Sequence, residues 1–231
     1  MERTRFHGQA DTVFRDRAEA GRQLARKLEP FRDSTAVVLG LPRGGIPVAF
    51  EVASALHLPL DVIVVRKLGL PLQPEVAMGA IGEGGARVVD RPLMAYAGVS
   101  PGQVEALEKA ERAELEDRVR RLRSGRPRSD LRGRTAIIVD DGVATGATAR
   151  VACAVARQLG AARVVVATPV APREALAEIV EADAVECVST PDSFFAVGYH
   201  YGDFRATTDD EVLALLDRAA TFVVPPPQAE N

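Results

Sequence analysis

Two patterns of apolar and polar positions alternate along the chain. Continuous apolar runs, which are typical of strands buried inside a parallel sheet, lie at 35–41, 59–65, 136–139, 163–169 and 184–189. Apolar residues that recur every three or four positions predict helices over 11–29, 46–56, 149–159, 173–180 and 208–218. Strands that alternate with helices predict an α/β fold, in which a Rossmann-like parallel sheet is flanked by helices.

Two neighbouring segments depart from this alternation. Residues 69–74 carry two prolines and no apolar period, which predicts a mobile loop. Residues 74–89 predict a β-hairpin that turns at the glycine-rich stretch 82–85. These glycines lack the Gly-x-Gly-x-x-Gly spacing and no helix follows them, so we exclude a dinucleotide-binding turn.

Residues 91–133 predict a helical insertion between two core strands. Ser100-Pro101-Gly102-Gln103 is typical of a helix start, and the helix is predicted to run to about Arg123. The stretch from Arg118 to Arg134 is strongly basic. It is interpreted either as cations at a helix C-terminus with a solvated linker, or as a surface that attracts a polyanion. Because no aromatic residues are interleaved, a nucleic-acid partner is disfavoured.

Composition limits the class of protein. The 231 residues are 47% hydrophobic with a formal net charge of −3, which is enough to bury one large core. No stretch approaches the roughly 20 apolar residues that a membrane span needs, and the N-terminus has no apolar signal region. Cys153 and Cys187 have no metal or redox spacing and are predicted to be small buried hydrophobes. We expect a cytoplasmic protein with no membrane partner.

The densest candidate chemistry follows the apolar run 136–139. Two carboxylates, Asp140 and Asp141, come first, and the small-residue loop 142–148 follows them. Its backbone N–H groups can converge on one point at a helix N-terminus, whose dipole also favours an anion. The pattern predicts a phosphate site with two carboxylates placed to accept hydrogen bonds from hydroxyls. The alternative is an Asp-Asp-Gly turn that only caps the helix.

Two further cationic sites follow apolar runs. Pro42-Arg43-Gly44-Gly45 exposes glycine N–H groups beside a guanidinium, which suits phosphate oxygens, although a tight βα turn with a surface arginine would have the same sequence. Arg66 and Lys67 follow the run 59–65, at the edge where open α/β sheets bind ligands. The alternative for this pair is ordinary solubility at a strand end.

An aromatic segment lies near the C-terminal end. Five of the chain's eleven aromatic residues fall within 194–204. They form either a stacking platform for a planar base or part of the core and its rim. The candidate platform residues are Phe194, Phe195, Tyr199 and Tyr201. His7, His57 and His200 show no ligand spacing.

An apolar strand, two acidic residues and a Thr-Gly-x-Thr loop together resemble the phosphoribosyl pyrophosphate (PRPP) signature of the type I phosphoribosyltransferases. The resemblance implies that Asp140 and Asp141 bind the ribose hydroxyls and that the loop binds the 5′-phosphate through Ala144, Thr145, Gly146, Ala147 and Thr148. It also implies pyrophosphate binding by Arg43, Gly44, Gly45, Arg66 and Lys67. Gly142 departs from the family, in which an aliphatic residue is commonest at this position. The sequences at 66–69, 74–75 and 78–85 resemble stand-alone bacterial members of unassigned acceptor.

The resemblance also implies an activity and an organisation. We expect transfer of 5-phosphoribosyl from PRPP to a nitrogenous base, with Asp140, Asp141 and Lys67 as catalytic residues. Mg²⁺ is expected to bind mainly through the substrate, with Asp140 or Asp141 as a protein ligand. One domain is expected over 1–231, with a lid at 68–77, a small hood at 190–208 and a tail at 223–231. Family members often form homodimers and act in nucleotide metabolism.

Two functions are alternatives to the transferase. A PRPP-binding regulator without turnover would use the basic stretch Arg118–Arg134 on RNA or a protein. A kinase similar to PRPP synthetase is disfavoured, because such chains resemble two tandem halves and no internal repeat is present here.

Overall fold

The computed structural model describes residues 14–222. In chain order the strands are β1 (Val37–Gly40), β2 (Leu60–Val62), β3 (Val65–Leu70), β4 (Gln73–Gly82), β5 (Arg87–Val89), β6 (Thr135–Val139), β7 (Arg163–Val170) and β8 (Ala184–Ser189). The helices are α1 (Arg17–Lys27), α2 (Gly45–Leu56), α3 (Arg91–Tyr96), α4 (Pro101–Arg123), α5 (Ala147–Gln158), α6 (Arg173–Ala177) and α7 (Asp209–Ala219). The predicted α/β class is confirmed.

The core lies on both faces of a parallel five-stranded sheet, ordered β2-β1-β6-β7-β8. Val38 and Ile137 belong to a buried cluster with α1 and α2 residues, while Leu39 and Ile138 belong to a second cluster with α5. Because both faces are covered by helices, the strands are apolar at successive positions.

The connections diverge at the centre of the sheet. From β1 the chain passes through α2 to β2 on one side, and from β6 it passes through α5 to β7 on the other. Ligands of open α/β sheets bind at such a switch point, outside the carboxyl ends of the strands. The two loops predicted to bind phosphates, after β1 and after β6, both begin here.

The predicted mobile loop at 69–74 is wrong. Residues 65–70 and 73–82 pair as an antiparallel hairpin that turns at Pro71 and Leu72. Proline is compatible with this position because a turn residue need not donate a ladder hydrogen bond. The hairpin predicted at 74–89 is confirmed by the antiparallel pairing of β4 and β5, so β3, β4 and β5 form a separate sheet. The lid at 68–77, which stays a prediction, therefore falls on a paired hairpin.

The helix predicted in the insertion is confirmed. Ser100 caps α4 with its side chain, and Gln103 reaches back to the backbone N–H of Ser100. Three residues of its inner face, Val104, Leu115 and Leu122, are buried. The first helix was predicted from residue 11, but α1 begins at Arg17 because the Asp16 side chain accepts a hydrogen bond from the Glu19 N–H at 2.7 Å.

Several remaining predictions concern buried or terminal residues. Cys153 and Cys187 are both buried, as predicted, and burial raises the pKa of each thiol to about 12. His7 and the tail 223–231 lie outside the described residues. Across residues 14–222, no helix combines the length and apolar character needed to cross a membrane.

Candidate functional site

The two predicted phosphate loops meet where β1 and β6 end. A Cβ atom built on Gly44 would lie 2.1 Å from Asp141 Oδ2, and one built on Gly45 would lie 2.6 Å from the Val139 carbonyl oxygen. Both positions therefore require glycine for the backbone to approach this closely. The structure thus brings the Pro42–Gly45 loop against the carboxylate pair, although the two segments lie about a hundred residues apart in the sequence.

Backbone donors line the loop after the carboxylates. Within residues 14–222, the N–H groups of Ala144, Thr145, Gly146 and Thr148 donate no hydrogen bond. They border a cavity of about 180 Å³, and Gly146, at φ 77°, caps α5. Unsatisfied N–H groups at the N-terminus of a helix, here one of twelve residues, are the donors that anions commonly use.

The unusual glycine of this loop has a packing explanation. A Cβ atom on Gly142 would lie 2.3 Å from Val197 Cγ1 and 2.7 Å from Val197 Cγ2. Val197 also lines the cavity of the phosphate loop. The space beside residue 142 is therefore filled by a side chain from the segment after β8, and an aliphatic residue at 142 would clash with it.

Arg17 is a site residue that the sequence analysis missed. Its Nε donates to Asp141 Oδ2 at 2.8 Å, and the Arg17 and Asp141 side chains are only 12% and 14% exposed. The guanidinium lies 4.0 Å from the centre of the Phe204 ring and also donates to the Arg205 carbonyl oxygen. Nothing local marks this arginine, because its partner is 124 residues away.

The carboxylate pair has unusual electrostatics. Burial and the adjacent Asp141 charge raise the pKa of Asp140 well above its ordinary value. Burial also raises the pKa of Asp141, while the Arg17 hydrogen bond and charge oppose that rise. The Asp141 N–H donates to Asp140 Oδ1 at 2.9 Å. Asp140 therefore favours its neutral form more strongly than an exposed aspartate does.

The four predicted platform aromatics lie in different environments. Tyr201 is buried and donates its hydroxyl to the Asp141 carbonyl oxygen at 2.5 Å, and burial with the nearby Asp141 charge raises its pKa. Phe194 stacks on the buried His200 ring. Neither placement fits a stacking platform. Phe195 and Tyr199 are 85% and 75% exposed, with ring centres 6.1 Å apart, so they are the two whose faces are accessible.

The placement of Arg66 and Lys67 corrects another expectation. The chain leaves the parallel sheet after β2, so both residues lie inside the antiparallel strand β3 rather than at the end of a parallel strand. Lys67 is exposed there. Arg66 lies within 2.7 Å of carboxylate oxygens of Glu111 and Glu114 on α4. Their binding and catalytic roles stay predictions.

Most arginines of the 118–134 stretch have partners within the protein. Arg123 is largely buried and pairs with Asp61 and Glu83. Others form ion pairs or donate to backbone carbonyl oxygens, namely Arg126 with Asp217, Arg132 with Asp130, and Arg134 with the Thr35 and Ala36 carbonyls. The stretch therefore anchors the insertion to the rest of the fold, which weakens the hypothesis of a polyanion-binding surface.

The comparisons with known proteins show the family to which the chain is similar. A sequence model of the family described as "Phosphoribosyl transferase domain" matches residues 12–203. Relatives from Mycobacterium tuberculosis strains CDC 1551 and H37Rv, whose names assign them provisionally to the phosphoribosyl transferases, are each 53% identical over 208 residues. The match covers 90% of this chain and 47% of each relative, so the chain spans about half the length of these relatives.

A solved structure matches the fold over nearly its whole length. The crystal structure of TT1426 from Thermus thermophilus is 45% identical and superposes with a TM-score of 0.82. The match covers 89% of this chain and 98% of that one. The fold as a whole is thus similar to that of an experimentally determined protein.

Proposed function

We propose that this chain, which belongs to the phosphoribosyl transferase family, transfers the 5-phosphoribosyl group of PRPP to a nitrogen of a small base and releases pyrophosphate. The observation that carries the proposal is the meeting of the two predicted phosphate loops around one carboxylate pair. PRPP has the matching order of groups, with a phosphate at one end, hydroxyls in the middle and a pyrophosphate at the other end.

Each part of the site would have a separate task. The unsatisfied N–H groups of the loop 144–148 bind the 5′-phosphate, and Arg43 and Gly44 bind the pyrophosphate. Gly45, whose N–H donates to the Leu41 carbonyl oxygen at 3.0 Å, lets this loop approach the end of β6. Asp140 and Asp141 accept hydrogen bonds from the ribose hydroxyls and so fix the sugar between the loops. Arg17 holds Asp141 in orientation, and its hydrogen bond and charge favour the ionised carboxylate against the opposing effect of burial.

The reaction is a displacement at ribose C1. The bond from C1 to the pyrophosphate oxygen breaks with its electron pair on that oxygen, and the acceptor nitrogen forms the new bond to C1. Positive charge develops on the sugar ring and negative charge on the leaving group. The residues therefore act by positioning and by charge stabilisation. We assign no general base.

The donor set fits a substrate-held Mg²⁺ ion. Among the side chains that the structure describes, which are those of 14–73 and 76–222, no group of three or more histidine, cysteine or carboxylate side chains is arranged to hold a metal ion. Mg²⁺ commonly binds through one or two carboxylates together with substrate phosphates and water, so Asp140 or Asp141 would hold it. When bound, the ion would neutralise charge on the pyrophosphate.

The acceptor would bind beside the ribose. The exposed rings of Phe195 and Tyr199 flank Val197, which contacts the phosphate loop. Their accessible faces suit a planar heterocycle. The regulator without turnover is less well supported, because the arginines it would use are largely paired within the protein.

Binding of PRPP provides the first test. Because PRPP contacts both loops at once, its affinity in the presence of Mg²⁺ should exceed that of ribose 5-phosphate or of pyrophosphate by at least about 100-fold. Titration calorimetry with the three ligands measures this difference. Equal affinities for PRPP and ribose 5-phosphate would mean that the Pro42–Gly45 loop takes no part in binding, and the proposal would fail.

A further inference from the structure

A cavity of about 590 Å³ lies beside the Pro42–Gly45 loop and is lined by four arginines. Arg43 comes from the loop itself and Arg66 from β3. Arg118 and Arg121 come from α4, in the helical insertion that lies outside the parallel sheet. Three separate elements therefore direct guanidinium groups toward one space, which we call the arginine cavity.

Arg118 makes the direct connection between α4 and the loop. Its Nη2 donates to the Pro42 carbonyl oxygen at 3.2 Å, one residue before Arg43. Among the described side chains of 14–73 and 76–222, Arg118 forms no ion pair with a carboxylate, although it is half-buried. Burial, together with the charges of Arg43, Arg66 and Arg121, lowers the pKa of Arg118, and Asp209 partly opposes this. A guanidinium crowded by like charges without a paired carboxylate is a site that an anion would stabilise.

The other arginines of the cavity have carboxylate partners, and some of these pairs are loose. Arg43 Nη1 lies 3.8 Å and Arg121 Nη1 lies 3.5 Å from oxygens of Asp209, beyond ordinary hydrogen-bond length. Arg121 also forms a close pair with Asp117 at 2.9 Å, so Asp209 is the loosely held carboxylate. The lining also includes Glu114 and Asp117, so four positive charges face three negative ones. An entering anion could therefore displace a weakly held carboxylate and pair with guanidiniums that are already assembled.

We propose that Arg118 binds the pyrophosphate group of PRPP together with Arg43, so that α4 forms one wall of the leaving-group site. This inference rests on the proposed function, because it assigns the arginine cavity to the same substrate. Negative charge grows on the pyrophosphate as its bond to ribose breaks, and an always-charged guanidinium stabilises that charge without a proton transfer. The helical insertion would then take part in the chemistry.

The test compares Arg118→Ala and Arg118→Lys with Arg120→Ala. Arg120 is the control because it lies on the same helix, is 70% exposed and does not line the arginine cavity. Inorganic pyrophosphate with Mg²⁺ and ribose 5-phosphate are titrated separately by calorimetry. For Arg118→Ala we expect pyrophosphate affinity to fall at least about 10-fold, while ribose 5-phosphate affinity stays within about twofold. Arg118→Lys should give an intermediate loss, because it keeps the charge but loses the planar fork.

Two results would overturn the inference. One is unchanged pyrophosphate affinity in Arg118→Ala, and the other is an equal loss of both ligands, which would indicate a distorted loop. Thermal unfolding of each variant checks that it is folded. If Arg118→Ala is not folded, the pyrophosphate affinity of Arg118→Lys decides the test. Failure of the proposed function gives a different result. If the protein has no transferase activity but Arg118→Ala still loses pyrophosphate affinity selectively, the transferase proposal fails and the arginine cavity remains an anion site.

Discussion

Replacing Asp140 by asparagine is expected to raise stability at neutral pH while lowering phosphoribosyl transfer by at least about 100-fold. The loss of activity follows because the asparagine amide would present a weaker, uncharged acceptor to the ribose hydroxyls. The gain in stability follows from the raised pKa of the buried Asp140 carboxyl. The folded state binds this proton more tightly than the unfolded chain, so stability falls as the pH rises from the unfolded value toward the folded pKa.

This loss of stability grows with pH until the folded pKa is passed, and asparagine, which does not ionise, removes it. Each unit by which folding raises the pKa corresponds to about 1.4 kcal/mol of unfolding free energy. Denaturant unfolding of both proteins at acidic and neutral pH measures the difference, which should shrink as the pH is lowered. A variant that is less stable than the parent at neutral pH would contradict this account.

Asp141→Asn is the matched comparison. It should also lower transfer strongly, but it should not stabilise the fold in the same way, because it leaves the buried Arg17 guanidinium without its carboxylate. If the two variants gained equal stability, the Arg17 contact would have no electrostatic role.

Replacing Arg123 by alanine is expected to lower the unfolding free energy by about 3–5 kcal/mol. Arg123 donates two hydrogen bonds of 2.8 Å to the Glu83 carboxylate and one of 3.0 Å to Asp61. The Arg123 and Asp61 side chains are each 11% exposed, and that of Glu83 is 5% exposed. Without the guanidinium, two buried carboxylates would have no counter-charge.

Chemical denaturation measures this loss, and Arg120→Ala is again the control. Because Arg120 pairs at the surface, its removal should change the unfolding free energy by less than about 0.5 kcal/mol. Adding Glu83→Gln and Asp61→Asn to Arg123→Ala should recover part of the loss, since the stranded charges are then gone. A loss of less than about 1 kcal/mol in Arg123→Ala would mean that water already solvates this network.

The sequence was most informative where local chemistry determines local structure. The apolar run 136–139 is a central strand, the small-residue loop after it leads into α5, and the Ser100 box starts α4. These features depend on periodicity and capping, which act over a few residues.

The hairpin of β3 and β4 was missed for a physical reason. Its strands pair through irregular register near Gly69, so their side chains do not alternate cleanly and the segment lacks the period of a regular strand. The position of Arg66 and Lys67 depends on that pairing. The sequence pattern alone therefore predicted both cations at the end of a parallel strand, whereas they lie inside an antiparallel strand.

Long-range contacts explain the other differences between the site predicted from the sequence and the site in the structure. Arg17 reaches Asp141 only because α1 packs beside the sheet, and Val197 fills the space at Gly142 only after the chain returns from β8. Tyr201 was a candidate platform residue because aromatic rings suit either stacking or a core, and burial decided between these roles. Single-residue identity cannot distinguish such alternatives before the fold is known.

Release of pyrophosphate from PRPP is the most direct test of the central claim. The protein is incubated with PRPP and Mg²⁺, alone and with purine, pyrimidine or pyridine bases, and pyrophosphate and the ribosylated base are both quantified. The account predicts that one class of base accelerates release and appears as its 5′-phosphoribosyl derivative in equal amount. PRPP that binds tightly but releases no pyrophosphate with any of these bases would contradict the transferase assignment and favour a PRPP-binding regulator.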